Sequence, residues 1–439
     1  MAETIIHSVL LFNGHTFEKT PVTVTFSSSS GTIHSISKDK LDASSAPKNS
    51  TVIDGSNHTL LPGLIEGHMH VHGMHLPPGG DESQILKTPL KCGVTTLCDM
   101  FSDTETVQAR RAAIKADLDE AKATGKNVTM SDLKSCILAA TIEGGWPKPI
   151  VLGHDPTEEL IAKVKMWPNL TADTVPEFIK SNKANGANYI KLMQENCCSM
   201  AIPTNSIPSA TLEFQTAVVK AAHAQDLLVV GHATSVESTE IVLNAGADGL
   251  THTFIDQAPT QNIVDMYKKT NVFLIPTLSV LSSITNEAGD LRQRFADAAT
   301  KKGLLDDFTR QNMLDVIGLK AETAQLEYGY ESVRRLKKEG IDIVAGTDAV
   351  VGLKGTAIGP SLWMELHIYV EKCGMSVEEA LATATGVSAK RFRFGDRGEV
   401  SEGKRGDLVL VKGDLSKGLE NLWAEDGIVG VWKEGIKAA

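Results

Sequence analysis

Between residues 60 and 390 the chain alternates short apolar runs with longer stretches of helical spacing, and few architectures accept that alternation. The apolar runs cover residues 61–66, 94–99, 135–140, 189–193, 227–230, 249–251, 272–276 and 341–345. Between them, residues 104–122 and 212–225 carry apolar side chains at helical intervals, and a third helical stretch, 236–245, stops at Gly246. Eight strands with intervening helices predict an α/β protein built on a (β/α)8 TIM barrel, whose chemistry belongs at the C-terminal ends of the strands.

Both ends of the chain read as β structure. Runs at 6–12, 22–26, 32–36 and 51–53, broken by a Ser-rich turn at 27–31 and an Asp54-Gly55 turn, are matched by runs at 406–411 and 428–433. Neither set can bury a core alone, so the two are expected to pair into one small β-sandwich. The expected domains are 1–59 and 391–439, the two parts of that β unit, and 60–390, the barrel inserted between them.

Composition narrows the partners. Apolar residues make up 42% and charged residues 22%, the balance of an ordinary globular protein, and a formal charge of -11 argues against a nucleic-acid groove or an anionic membrane surface. Neither a signal-peptide pattern nor an apolar run of spanning length is evident. Six cysteines, at 92, 98, 136, 197, 198 and 373, form no CxxC pair and read as free thiols of a reducing compartment. A cytoplasmic homo-oligomer acting on a small molecule is the expectation.

The run Leu61-Pro62-Gly63-Leu64-Ile65-Glu66-Gly67-His68-Met69-His70-Val71-His72-Gly73 carries the first sign of chemistry. Residues two apart on a strand share a face, so His68 and His70 can converge on one metal ion. His72 and His75 follow closely, a pattern that a histidine-rich loop also produces. In Asn188-Tyr189-Ile190-Lys191-Leu192-Met193 a lysine interrupts an apolar run; a buried ammonium is costly, so Lys191 must be paired, neutral or modified. His232 closes Leu228-Val229-Val230-Gly231, His252 closes Gly249-Leu250-Thr251, and Asp348 follows Ala345-Gly346-Thr347. Four histidines, an aspartate and a lysine exceed one tetrahedral zinc site and suit two divalent ions. Zinc matches the imidazoles, and manganese, cobalt or iron accept the same donors.

Taken together, the HxH after Leu-Pro-Gly-Leu-Ile-Glu-Gly, the strand lysine, the two later histidines, Gly-Thr-Asp and the tail Gly395-Asp396-Arg397-Gly398-Glu399-Val400 resemble the amidohydrolase superfamily of metal-dependent hydrolases. The resemblance covers essentially the whole chain. Within it, Gly-Ala-Asn-Tyr-Ile-Lys-Leu-Met is similar to the branch holding imidazolonepropionase-like Xaa-Pro dipeptidases and ochratoxinase-type amidases. The chain departs from that branch at Gln194-Glu195-Asn196-Cys197-Cys198-Ser199, where relatives carry a small Ser/Gly-rich turn.

The resemblance implies roles residue by residue. His68, His70 and Asp348 would bind one ion and His232 and His252 a second, with Lys191, carboxylated by CO2, bridging both. Asp348 would act as general base and then acid while a metal-activated water cleaves an amide C–N bond, such as that of a dipeptide or N-acyl amino acid. The same centre would suit a lactone or ester. A mononuclear deaminase, a decarboxylase and a non-catalytic scaffold are the rival readings; Lys191 argues against the first and the full set of six positions against the last.

Outside this set the readings are more open. The connections at 141–174, with Trp146 and Trp167, and at 279–340 are candidates to enclose substrate. Cys197 and Cys198 invite a nucleophile reading that ranks below the metal one. His367, with Trp363 and Glu371 one turn away on either side, reads as helix packing.

Overall fold

In the computed structural model, which describes residues 3–38, 47, 49–73, 81–153 and 155–438, most of the internal apolar runs become buried parallel strands. Burial is continuous along Val94–Asp99, Ile190–Met193 and Val229–His232, as expected where helices cover both sides of a parallel sheet.

Parallel ladders join Ala349–Val351, Leu64–Gly73, Val94–Asp99 and Asp132–Ser135 in one sheet. A second sheet orders Phe273–Ile275, Gly249–Thr251, Val229–His232 and Ile190–Met193. The two meet at single parallel bridges, Ala140 with Leu192 and Leu274 with Ile343. The ladders therefore do not form the one closed barrel that the alternation predicts. At the first seam Ile137 takes a φ of 62°, which removes residues 136–140 from the strand expected there. At the second, residues 341–345 share their hydrogen bonds among several partners. Val344 N–H donates to the Leu274 carbonyl (2.9 Å), Ala345 N–H to Thr383 (2.9 Å), and the Ala345 carbonyl accepts from Gly67 (2.8 Å).

The strand expected at 61–66 is divided. His58–Pro62 belongs to the terminal sheet, whereas Leu64–Gly73 opens the parallel one, and Gly63 between them packs so closely on Thr95 that a Cβ would collide with that side chain. The helices follow their sequence signals: Thr104–Thr124 is capped by Asp103, which accepts from Thr106 N–H, and Val236–Ala245 ends at Gly246 with φ 87°.

The strands from the two chain ends lie in one eight-stranded mixed sheet. Its path runs Ile436–Lys437, Ile428–Lys433, Leu408–Lys412, His58–Pro62, Glu3–Leu11, Val22–Ser27, Ile33–Ser37, with Thr51–Asp54 paired to Glu3–Leu11. The path is continuous through Glu3–Leu11, whose first part pairs with Val22–Ser27 and Thr51–Asp54 and whose end pairs with His58–Pro62, and the two arms fold over a shared core. Phe26 and Trp432 stand four strand steps apart, about 19 Å in a flat sheet. Their ring centroids are 5.5 Å apart.

A charge cluster ties this sheet to the parallel one. The Asp132 carboxylate receives Arg397 (2.8 Å), Arg405 (2.9 Å) and the fully buried Lys433 (3.0 Å). Among the described residues no helix is long and apolar enough to cross a membrane.

Candidate active site

Along Leu64–Gly73 the two-residue period of the strand puts His68, His70 and His72 on one face, and all three line a cavity of about 150 Å³. His75 lies outside the described residues. Lys191 from Ile190–Met193, His232 from Val229–His232, His252 just beyond Gly249–Thr251, and Asp348 line the same cavity. All six residues singled out in the sequence are thus brought together, from strands far apart in the chain.

Asp348 reaches the histidines through a tight backbone clamp. The His68 carbonyl accepts from Thr347 N–H (3.1 Å) and Asp348 N–H (2.7 Å), and Asp348 itself sits at φ 59°, a left-handed conformation that Asp tolerates better than most residues. Its Oδ1 then lies 3.1 Å from His68 Nε2 and 3.0 Å from His70 Nε2. Glu66, fully buried, braces the same junction by accepting from His68 N–H (3.1 Å), Thr347 N–H (2.9 Å) and the Thr347 hydroxyl (3.0 Å).

His70 shows what this arrangement requires. Its Nδ1–H donates to the Phe101 carbonyl at 3.1 Å, so in the neutral ring Nε2 carries a lone pair, aimed at a carboxylate oxygen 3.0 Å away. Two acceptors at that distance repel unless a cation or proton lies between them. Buried His68 adds Nε2 to the same oxygen and leaves Nδ1 without a partner. His68, His70 and Asp348 present their donor atoms within 4.8 Å of one another, a set that fits a divalent ion.

His232 is prepared in a similar way. Its Nε2–H donates to Glu195 Oε2 (3.0 Å), which leaves Nδ1 as the free donor atom, 3.0 Å from His252 Nε2. Glu195 is completed by the Thr234 hydroxyl (2.7 Å) and by the N–H groups of Asn196 (3.0 Å) and Cys197 (2.7 Å). The Lys191 ammonium has the Thr251 hydroxyl as its hydrogen-bond partner.

Burial sets the charge state. It holds His232 and His252 below the ordinary histidine range and takes His68 down to about 3, so these rings are neutral, the form that binds a metal. Burial also lowers Lys191 to about 8, bringing free amine within reach near neutral pH. Burial acts to raise Asp348, but a proton on the facing nitrogens of His68 and His70 outweighs it and holds the carboxylate well below its usual range.

Beyond the donors the wall is apolar. Trp146 stacks on His232 with centroids 5.2 Å apart and planes at 27°, and Trp167 packs on Phe101 at 4.6 Å. Both tryptophans come from the connection at 141–174, whereas no described residue of 279–340 lines the cavity. Cys197 and Cys198 lie outside the lining, and burial pushes the Cys197 thiol up to about 12. His367 packs against Phe295 and Trp423.

Glu66, Asp99 and Glu195 are the polar residues that the sequence reading passed over. Asp99 accepts from Val71 N–H (3.1 Å), Ser102 (3.0 Å) and Ser135 (2.5 Å), bracing the histidine strand from its neighbour. A carboxylate inside or at the end of an apolar run was the available signal, the same one that singled out Lys191.

The amidohydrolase family model matches residues 59–437. Among solved structures, the chain is similar to a Xaa-Pro dipeptidase with bound methionine (20% identity, TM-score 0.70, 99% of each chain covered). Aspergillus niger ochratoxinase matches at 18% identity and TM-score 0.70, over 99% of this chain and 95% of that one. Phenylurea hydrolase B matches at 19% identity and TM-score 0.73, over 100% and 97%. An adenine deaminase from Geobacillus kaustophilus (strain HTA426) is 37% identical over 91 residues, 21% of this chain and only 15% of the deaminase's own length. Where the family model covers nearly the whole chain and the histidine strand, the later strand ends and Asp348 meet in one cavity, the conclusion is direct: this chain belongs to the amidohydrolase family.

Proposed function

We propose that this protein is a metal-dependent hydrolase that cleaves an amide C–N bond in a small molecule. The observation that carries the reading is the convergence of His68, His70, Lys191, His232, His252 and Asp348 on one cavity, with a carboxylate oxygen of Asp348 within 3.1 Å of two imidazole nitrogens. His68, His70 and Asp348 would hold one divalent ion and His232 and His252 a second, with Lys191, as its carbamate, serving both. Zinc is the ion proposed. The lowered pKa of Lys191 supports this, because only a free amine adds to CO2. On this reading the two parallel sheets are halves of a (β/α)8 barrel, and the rolled terminal sheet is the satellite domain.

Bound divalent ions supply Lewis-acid polarisation of a carbonyl and lower the pKa of water at that position. Asp348 takes up the proton released by the attacking water and returns it to the departing nitrogen. Glu195 keeps Nδ1 of His232 free for coordination, and the apolar wall from Phe101 to Trp167 limits access of bulk water. The charge of -11 supports a small-molecule substrate over nucleic acid, and a cytoplasmic homo-oligomer is the assembly proposed.

The test is metal content of chelator-free protein beside Lys191→Ala. About two equivalents in the parent, falling in the variant, support the reading. One equivalent, unaffected by the substitution, overturns it in favour of a mononuclear deaminase.

A further inference from the structure

The cavity wall bears on what the substrate carries. Apart from the six donors, the described lining is Phe101, Trp146, Ile150, Trp167, Met193, Leu353 and neighbouring apolar side chains, its polar groups being His72 and the indole N–H of each tryptophan. Nδ1–H of His72 is committed to the Phe101 carbonyl (2.9 Å) and the Ser102 hydroxyl (3.3 Å), so the ring offers an acceptor at Nε2. No described residue of the lining is an arginine, and its one lysine is Lys191, which the proposed metal centre uses.

Other cations lie outside the lining: Lys354, next to the lining residue Leu353, is exposed. Lys148 follows the lining residue Pro147, yet its ammonium donates to the carbonyls of Ile142 (2.9 Å) and Pro168 (2.6 Å) and to the Asn169 amide oxygen, which uses all three N–H groups. Lys163 is exposed and lies 3.8 Å from Asp103. The sequence from Met74 to Gly80 contains neither lysine nor arginine.

A dipeptide or N-acyl amino acid carries its carboxylate one carbon from the scissile nitrogen, too close to that bond to escape the cavity. Burying an unpaired carboxylate is costly. The flat face of Trp146, stacked on His232, and a cavity of about 150 Å³, a volume that holds one benzene-sized group, favour a planar apolar substituent instead.

We infer that the substrates are electroneutral amides with an aromatic or compact apolar group beside the scissile bond, and not dipeptides or N-acyl amino acids. The inference rests on the amide-hydrolase reading above.

Two amides that differ only by a carboxylate test it: N-phenethyl-phenylacetamide and N-phenylacetyl-phenylalanine, each given to the zinc-reconstituted protein. The neutral amide is expected to show a kcat/KM about 100-fold higher. Ile150→Arg, which adds a cation to the wall, is expected to narrow that ratio about tenfold. Equal or faster cleavage of the carboxylate overturns the inference. Quenching of tryptophan fluorescence by the same two compounds separates it from the hydrolase reading. If neither is cleaved but the neutral amide binds about 100-fold more tightly, the hydrolase reading fails and the electroneutral ligand class stands. If the neutral amide does not bind, or the carboxylate binds as tightly, the inference fails.

Discussion

Glu195 Oε2 lies 3.0 Å from Nε2 of His232, and this contact determines which nitrogen of that ring is free. A carboxylate can only accept here, so the proton sits on Nε2 and the lone pair on Nδ1 faces His252. Glu195 lies just beyond Ile190–Met193, and its carboxylate is fully committed to this support.

Glu195→Gln is therefore expected to weaken the second ion without unfolding the chain. An amide can present N–H to His232 and favour the wrong tautomer, and loss of such outer-shell support costs about 10- to 100-fold in metal affinity. Competition with a chelator of known affinity measures it. Unchanged affinity for both ions would remove Glu195 from the metal centre.

Trp146 supplies an aromatic face beside His232, and Trp146→Ala is expected to raise KM about tenfold with a smaller effect on kcat. Trp146→Phe should recover most of the loss. A KM unchanged by alanine would mean that this wall does not touch substrate.

Cys197 and Cys198 sit next to this machinery but outside the cavity lining, and burial pushes the Cys197 thiol up to about 12. Replacing either with alanine should leave kcat/KM within about threefold of the parent, because a protonated thiol is a poor nucleophile. Loss of activity with metal content intact would revive the nucleophile reading.

Asp132 joins the terminal sheet to the parallel one through Arg397, Arg405 and Lys433. Burial acts to raise its carboxyl, but these three cations outweigh burial and hold it far below the unfolded value. A depressed folded-state pKa contributes stability fully above the unfolded pKa, about 3.9, and loses it progressively as pH falls below that. Asp132→Asn, which leaves buried Lys433 short of its counter-charge, should cost about 3 kcal/mol at pH 7 by urea unfolding. The gap between parent and variant should narrow below about pH 4. A gap that does not depend on pH would place the effect in packing and not in charge.

The candidate ligands were legible because each breaks a local rule. An imidazole, an ammonium or a carboxylate at the end of an apolar strand is costly, and His68, His70, Lys191, His232, His252 and Asp348 each carry that signature. Helix limits were legible as well, from Asp103 and Gly246, since caps act within a few residues. Glu66, Asp99 and Glu195 carry the same signature, but a carboxylate that braces a ligand looks in sequence like one on a surface.

Local pattern in the sequence determined the strand-and-helix alternation, the common face of His68 and His70, and the residue types able to hold a metal. Only the tertiary structure decided that Ile137 leaves its ladder, that residues 341–345 divide their hydrogen bonds, and that the terminal sheet rolls until Phe26 meets Trp432. It also decided that Glu195 settles the protonation of His232 and that Lys148 turns away from the cavity wall. The reason is physical: periodicity and capping involve neighbours in the chain, whereas seams, sheet curvature and the pairing of buried charges depend on groups tens to hundreds of residues apart.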